Sequence, residues 1–157
     1  MRTAGETRRL ARLRQQLARS ELKLARLRKR ERARDAHRKF RLGGLAEVLG
    51  WDELGADELE RLVVAVRDAA SDRQALERFG VAGSAWFERR ERIGSLGAVE
   101  SPPSVRSDAS PDRARARAHR LITIGGLFVR EGLDGLDLAT LLGAMLACDP
   151  VGADDAV

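Results

Sequence analysis

The stretch that decides the fold occurs twice, as AHRKFRLGGLAEVLGWDEL over residues 36–54 and as AHRLITIGGLFVREGLDGL over residues 118–136. Each copy contains a pair of adjacent glycines, and the two pairs align, with Gly43 matching Gly125 at an offset of 82 positions. Around the first pair, apolar residues recur at helical spacing. They are Leu42, Leu45, Ala46 and Leu49. Because a second apolar-periodic segment follows each copy, the repeat predicts a helical hairpin that is used twice.

The glycine pairs are unusual for the interior of a helix, where each glycine costs about 1 kcal/mol relative to alanine. Their presence at one place in both repeats indicates a compensating contact, most simply a helix backbone packed closely on another helix. A phosphate-binding loop is the alternative, although neither GxGxxG nor GxxxxGK[ST] occurs. Gly50 and Gly132 follow the first helix of each repeat, where we expect left-handed caps at the helix ends.

The second arm of each hairpin carries its own apolar stripe. The stripes are Leu59, Leu62, Val63 and Val66 in the first repeat, and Leu138, Leu141, Leu142, Met145 and Leu146 in the second. The repeat offset aligns Val66 with Cys148, so this cysteine is expected to be a core residue. After the first hairpin we predict two short helices, the second running from Ser84 to Gly94. Its Trp86 and Phe87 suit packing, with stacking on a nucleobase as the alternative.

Positive charge is concentrated at the N-terminus. Residues 1–45 contain sixteen Lys and Arg against four Asp and Glu, while the whole chain carries only +5. Such asymmetry indicates a basic arm for a polyanion. We predict DNA binding through phosphate contacts from one basic helical surface, with low sequence specificity. The predicted contacts are Arg28, Lys29, Arg30, Arg32, Arg34, Arg38 and Lys39, together with Arg113, Arg117 and Arg120. A solvated charged helix and a helix for an acidic protein or lipid surface are the alternatives.

A leucine seam precedes the basic cluster within one long predicted helix. Leu10, Leu13, Leu17, Leu24 and Leu27 occupy heptad positions a and d, and Ser20 interrupts the series. The seam predicts either a homodimeric coiled coil or docking on the rest of the chain. A helical adaptor that uses this seam and does not bind nucleic acid is therefore the alternative to the DNA-binding function.

The composition favours an all-α fold, because 34% of residues are charged and aromatic residues make up only 4%. We divide the chain into residues 1–94, a linker over 95–111, a hairpin over 112–148, and an acidic tail over 149–157.

A single cysteine and two separated histidines predict no disulfide, metal site or cofactor. The sequence has no apolar run long enough for a membrane span and no leader, so we expect a cytoplasmic protein without membrane insertion. Because the sequence shows no set of residues typical of acid–base catalysis, we predict that the protein is not an enzyme.

The second repeat resembles the short conjugal-transfer TraD family of plasmids. The resemblance is carried by an Arg-rich lead at 113–120, Gly125–Gly126, Gly132–Leu133 and the Leu-rich run LLGAML at 141–146. The first repeat is similar to a diverged member, and its leading helix to the TraC-type companions of that family. The chain lacks the P-loop of the large coupling ATPase that shares the TraD name. The resemblance implies an accessory role in conjugative DNA transfer near the relaxosome, with a relaxase or other transfer proteins as partners, and implies no catalytic residues.

Overall fold

The computed structural model describes residues 4–97 and 110–149, which contain helices and no strand. The elements are α1 (Ala4–Val48), a 3-10 turn (Trp51–Glu53), α2 (Ala56–Ala70), α3 (Arg73–Gly97), α4 (Pro111–Arg130), a second 3-10 turn (Leu133–Gly135) and α5 (Leu138–Cys148). The predicted all-α class is confirmed. Most of the predicted linker and tail lies outside the described residues.

The chain divides into two compact units, Met1–His37 and Arg38–Val157. The first unit is the N-terminal part of α1, and its residues from Gly5 to Arg34 are exposed. The second unit contains the end of α1 and all the other helices. Both glycine repeats contribute to this second unit, so the two hairpins build one core rather than two separate ones.

Each hairpin turns at a glycine in the left-handed region. Gly50 and Gly132 both have φ of 74°, and they are the positive-φ residues of the described chain. A 3-10 turn follows each glycine and carries a buried apolar residue, Trp51 in the first repeat and Leu133 in the second. This geometry confirms the predicted caps, since only glycine adopts that φ without a steric cost.

The core of the second unit is apolar and takes residues from both hairpins. From the first hairpin come Leu42, Leu45, Ala46, Trp51, Leu59, Val63 and Val66, and from the second Ile124, Phe128, Leu133, Leu141, Ala144 and Met145. Cys148 is partly buried and packs against this cluster, as predicted from its alignment with Val66. Burial raises the pKa of its thiol, which keeps the sulfur in the weakly nucleophilic protonated form.

The first glycine of each pair lies where α1 crosses α4. A Cβ added to Gly43 would collide with the backbone of Leu121, and one added to Gly125 would collide with the backbone of Lys39. The two contacts are reciprocal, because Leu121 and Lys39 are themselves related by the repeat offset of 82 positions. Gly44 and Gly126 have nothing within 4 Å of an added Cβ. The predicted close packing is confirmed, and only one glycine of each pair requires it.

Helix α3 differs from the two short helices that the sequence predicts. It is continuous from Arg73 to Gly97 and passes through Gly80 and Gly94, the expected stops. A second close crossing explains part of this difference. Gly83 of α3 lies against the backbone of Ala139 in α5, and Gly143 of α5 lies against the backbone of Phe79 in α3. Gly83 therefore serves helix packing, and local sequence signals do not distinguish a packing glycine from one that ends a helix.

Candidate nucleic-acid interface

The basic segment of α1, defined as residues 28–34, is exposed at every position. Within the described residues, Arg28, Lys29, Arg30 and Arg34 form no ion pair with any carboxylate. Arg32 donates a hydrogen bond from Nε to the carbonyl oxygen of Arg28 at 3.3 Å, which is a bond along the same helix. The excess charge that the sequence shows is therefore present on the surface without neutralisation by the described part of the protein.

The cations of the basic segment surround the helix instead of sharing one face. At 3.6 residues per turn, Arg28 and Arg32 lie on one side. Arg30 and Arg34 lie nearly opposite them, and Lys29 lies between the two pairs. The sequence predicts one basic surface, but the helix distributes these cations around its axis, because residues two apart on an α-helix cannot share a face. A polyanion could approach this segment from more than one direction.

Arg38 and Lys39 belong to the helix crossing. Nη1 of Arg38 lies 2.8 Å from Oδ2 of Asp134 in the second repeat, and that carboxylate is 22% exposed. Lys39 is half-buried and its backbone contacts Gly125 of α4. The sequence predicts that both residues contact DNA; in the structure Arg38 is paired with a carboxylate, and the backbone of Lys39 packs in the crossing.

The arginines of α4 also face carboxylates. Arg117 donates from Nε and Nη2 to the two carboxylate oxygens of Glu47, a bidentate arrangement. Arg120 lies farther from its partner, with Nη1 at 4.0 Å from Oδ2 of Asp52. The hydrogen bond from Arg117 lowers the pKa of Glu47, and partial burial opposes this shift. Together with Arg113, these side chains line a shallow cleft at the end of α1.

Two of these ion pairs are related by the repeat. Arg38 and Arg120 occupy the same position in the AHR motif, and Asp134 and Asp52 the same position after the turn glycine. Each arginine pairs with the aspartate of the other repeat. Neither aspartate is among the predicted site residues, although both lie two residues after a turn glycine, Gly50 or Gly132, and this repetition is a signal in the sequence. The arginines of the AHR motif thus connect the two hairpins.

The remaining predicted residues are exposed or involved in packing. Arg113 is exposed, and its backbone N–H donates to Oγ of Ser110 at 3.4 Å, which caps the start of α4. Phe87 packs against the core, as expected. The half-buried Trp86 contacts Phe87 edge to face at 5.5 Å between ring centroids. The guanidinium of Arg90 lies 5.0 Å from the centroid of the Trp86 ring, which is cation–π distance.

Within residues 4–97 and 110–149, no group of His, Cys, Asp and Glu is arranged to hold a metal ion. No helix of these ranges combines the length and apolarity needed to span a membrane.

The Arg117–Glu47 pair predicts a pH-dependent contribution to stability. Because the folded pKa of Glu47 is lowered, the contribution is present above the ordinary glutamate pKa and is lost as pH falls through the folded value. For a partly exposed pair we expect at most about 1 kcal/mol. Urea unfolding of Arg117→Gln and wild type should therefore differ at about pH 7, and the difference should shrink as the pH falls below the ordinary glutamate pKa of about 4.3.

Arg61→Gln provides the control for this experiment. Arg61 is exposed and forms no ion pair with another described residue, so its replacement should produce no pH-dependent difference. A difference for Arg117→Gln that persists unchanged at low pH would contradict the assignment, since it would then arise from lost packing rather than from the carboxylate.

The fold and these charges define a class of protein: two helical hairpins joined through glycine crossings, with a basic N-terminal helix. Residues 112–151 match the family model described as Conjugal transfer protein TraD. This match confirms the resemblance of the second repeat to the TraD family and covers that repeat alone. The match contains α4 and α5 and does not extend to the first hairpin. No curated protein and no solved structure matches the chain.

Proposed function

We propose that this protein is a non-enzymatic accessory protein of conjugative DNA transfer that binds the DNA phosphate backbone through the basic segment of α1. The TraD segment supports the role in transfer. It would act near the relaxosome, with a relaxase or other transfer proteins as partners. Support for DNA as the ligand comes from the charge arrangement in α1, independently of the family.

The observation that carries the proposal is the contrast between two groups of arginines. In the second unit, Arg38 and Arg117 are compensated by carboxylates on neighbouring elements. In the basic segment, Arg28, Arg30 and Arg34 are exposed and have no such carboxylate among the described residues. Like charges at i,i+4 spacing destabilise a helix. A polyanion that supplies phosphates relieves this repulsion and gains entropy from counterion release.

The residue types of the basic segment fit backbone contacts better than base reading. Arginine binds phosphate oxygens through its planar fork of donors. Between positions 26 and 41 the sequence contains no Asn or Gln, the residues that read adenine edges. We therefore expect the protein to bind unrelated DNA sequences with similar affinity, and to lose affinity steeply as salt rises.

Fluorescence anisotropy with labelled duplex and single-stranded DNA across a salt series tests this function. The informative variant is the triple substitution Lys29→Gln, Arg30→Gln and Arg34→Gln. On duplex DNA, each lost phosphate contact lowers the steepness of log K against log salt by about 0.9, so three contacts lower it by about 2.7. Affinity near about 0.1 M salt should fall by at least about tenfold, as expected for several lost phosphate contacts.

The matched control removes the same net charge from the second unit, through Arg61→Gln, Arg73→Gln and Arg78→Gln. These three arginines are exposed and form no ion pair with a described residue. We expect the control to keep the wild-type salt dependence, because local phosphate contacts and not total charge determine it. Wild-type binding that is unmeasurable at low salt or insensitive to salt would rule out the proposal.

A second candidate function, a helical adaptor between proteins, is favoured by one specific observation. The leucines of the seam (Leu10, Leu13, Leu17, Leu24 and Leu27) are 38–59% exposed on α1. Exposed large apolar residues in a regular row typically mark an interaction surface. The two functions are compatible, since the seam and the basic segment occupy successive parts of one helix. A homodimer through these leucines is one form of the adaptor hypothesis.

A further inference from the structure

The leucine seam forms a narrow apolar stripe along the first unit. Its heptad pattern places Leu10, Leu17 and Leu24 at position a, and Leu13 and Leu27 at position d. The helix is continuous through all of these positions and they are all exposed. An unbroken helix with an uncovered a/d stripe has the geometry required for pairing with a second helix.

The charge beside the seam indicates which second helix fits. Positions e and g flank an a/d stripe and face the flanks of the paired helix. In this chain the flanking residues are Arg9, Arg14, Gln16, Glu21, Lys23 and Arg28, and all six are exposed. Four are cations and one is a carboxylate. The surface beside the seam is therefore strongly positive.

A second copy of this chain meets its own charges at that surface. In parallel pairing, position g faces position e of the following heptad, so Arg9 faces Arg14 of the second copy and Lys23 faces Arg28 of the second copy. Antiparallel pairing sets g against g and e against e, where cations again predominate. Ser20 at a central d position further weakens a homodimer, because it replaces one of the leucine contacts.

We infer that the seam is a docking site for an acidic amphipathic helix of another protein, with apolar residues at a and d and Glu or Asp at e and g. Such a helix covers the five leucines and places carboxylates against the cations of both flanks. The inference goes beyond the adaptor hypothesis, because it specifies the chemistry of the partner and excludes a second copy. It does not depend on DNA binding by the basic segment.

The test uses the full-length protein and a synthetic helical peptide with Leu at a and d and Glu at e and g. Sedimentation velocity should show the protein alone as a monomer, and a 1:1 complex when the peptide is added. Titration calorimetry near about 0.15 M ionic strength should detect binding, since desolvated heptad contacts remain when salt screens exposed charges. A peptide of the same composition with a scrambled heptad should bind at least about tenfold more weakly.

Two pairs of substitutions on α1 determine which side of the helix binds the peptide. Leu17→Asp with Leu24→Asp changes the seam and should abolish peptide binding. The matched control is Gln15→Asp with Leu22→Asp, which adds the same charge on the opposite side of the helix. Leu22 is 60% exposed and lies outside the seam, so this control should retain binding. Circular dichroism of both variants checks that helix content is unchanged.

Three results would overturn the inference. The first is self-association of the wild type that Leu17→Asp with Leu24→Asp removes, because a second copy would then be the occupant. The second is equal affinity for the ordered and the scrambled peptide, or no affinity for either. The third is seam-dependent binding to anionic lipid vesicles in place of the peptide. The seam variant retains Lys29, Arg30 and Arg34, so its DNA affinity reports on the proposed function separately.

Discussion

Replacing Gly43 with alanine should destabilise the protein far more than the same replacement at the adjacent Gly44. The added methyl at Gly43 meets the backbone of Leu121, which cannot rotate away as a side chain can. Helices α1 and α4 must then move apart and lose core contacts. Overpacking of this kind costs about 1–3 kcal/mol, and occasionally more. We expect about 3 kcal/mol at this crossing, because the obstacle is main chain.

Gly44→Ala provides a control of the same chemistry one residue away. An added Cβ at Gly44 meets nothing within 4 Å, so the gain in helix propensity is unopposed. Stability should rise by about 0.5–1 kcal/mol. Urea denaturation followed by circular dichroism measures both variants. A neutral Gly43→Ala, or a loss of stability for Gly44→Ala equal to that for Gly43→Ala, would contradict the assignment of the crossing.

The reciprocal geometry adds a stricter expectation for the second repeat. Gly125→Ala should behave like Gly43→Ala, and Gly126→Ala like Gly44→Ala. Because Gly43 and Gly125 lie at one crossing, the separation forced by the first alanine makes room for the second. The double variant Gly43→Ala, Gly125→Ala should therefore lose less stability than the two single variants added together, by at least about 1 kcal/mol. Strict additivity would show that the two glycines do not share a crossing.

The hairpins could be predicted from the sequence because their signals are local. Apolar periodicity around Leu42–Leu49 and the turn glycines Gly50 and Gly132 determine helices and their ends within a few residues. The repeat supplied the remaining information, since a glycine pair conserved in place between two copies indicates a contact with another helix. Which glycine of each pair makes that contact could not be predicted, because it depends on the azimuth of the facing helix.

The candidate nucleic-acid interface, too, could be predicted only in part from the sequence. An excess of cations over residues 28–34 is visible in the sequence, and the structure shows these side chains exposed. The pairing of Arg38, Arg117 and Arg120 with carboxylates was not predicted. Those carboxylates belong to the other repeat, and counting charges along the chain does not bring them together. The crossing of α1 and α4 places Glu47 beside Arg117, and no local pattern encodes this contact.

Helix α3 gives the clearest case of a long-range effect. Gly80 and Gly94 resemble helix ends, yet the helix continues through both. Its contact with α5 explains part of this difference, because the backbone of Ala139 approaches Gly83 too closely for any side chain. The segment that the sequence predicts as two short helices thus packs on α5, a helix of the TraD segment. The glycine of the LLGAML run, Gly143, is required by this contact.

Gly143→Ala should consequently be among the most destabilising single substitutions in the chain. Its added methyl meets the backbone of Phe79, and Gly143 is buried within a helix that is almost entirely enclosed. Separation of α3 from α5 also exposes neighbouring core residues, so we expect about 3 kcal/mol or more. Gly83→Ala, on the facing helix, should have a similar cost, since its methyl meets the backbone of Ala139. Thermal and urea unfolding measure both.

Gly80→Ala on the same helix tests whether a contact with a side chain is less costly than a contact with the backbone. Its added Cβ lies 3.2 Å from Oγ1 of Thr140, a tight contact with a side chain rather than with main chain. A few tenths of an ångström of adjustment relieves it, and helix propensity offsets part of the cost. We therefore expect a change within about 1 kcal/mol for Gly80→Ala. If Gly83→Ala and Gly143→Ala were equally mild, α3 would not pack closely on α5, and the TraD hairpin would be stable without it.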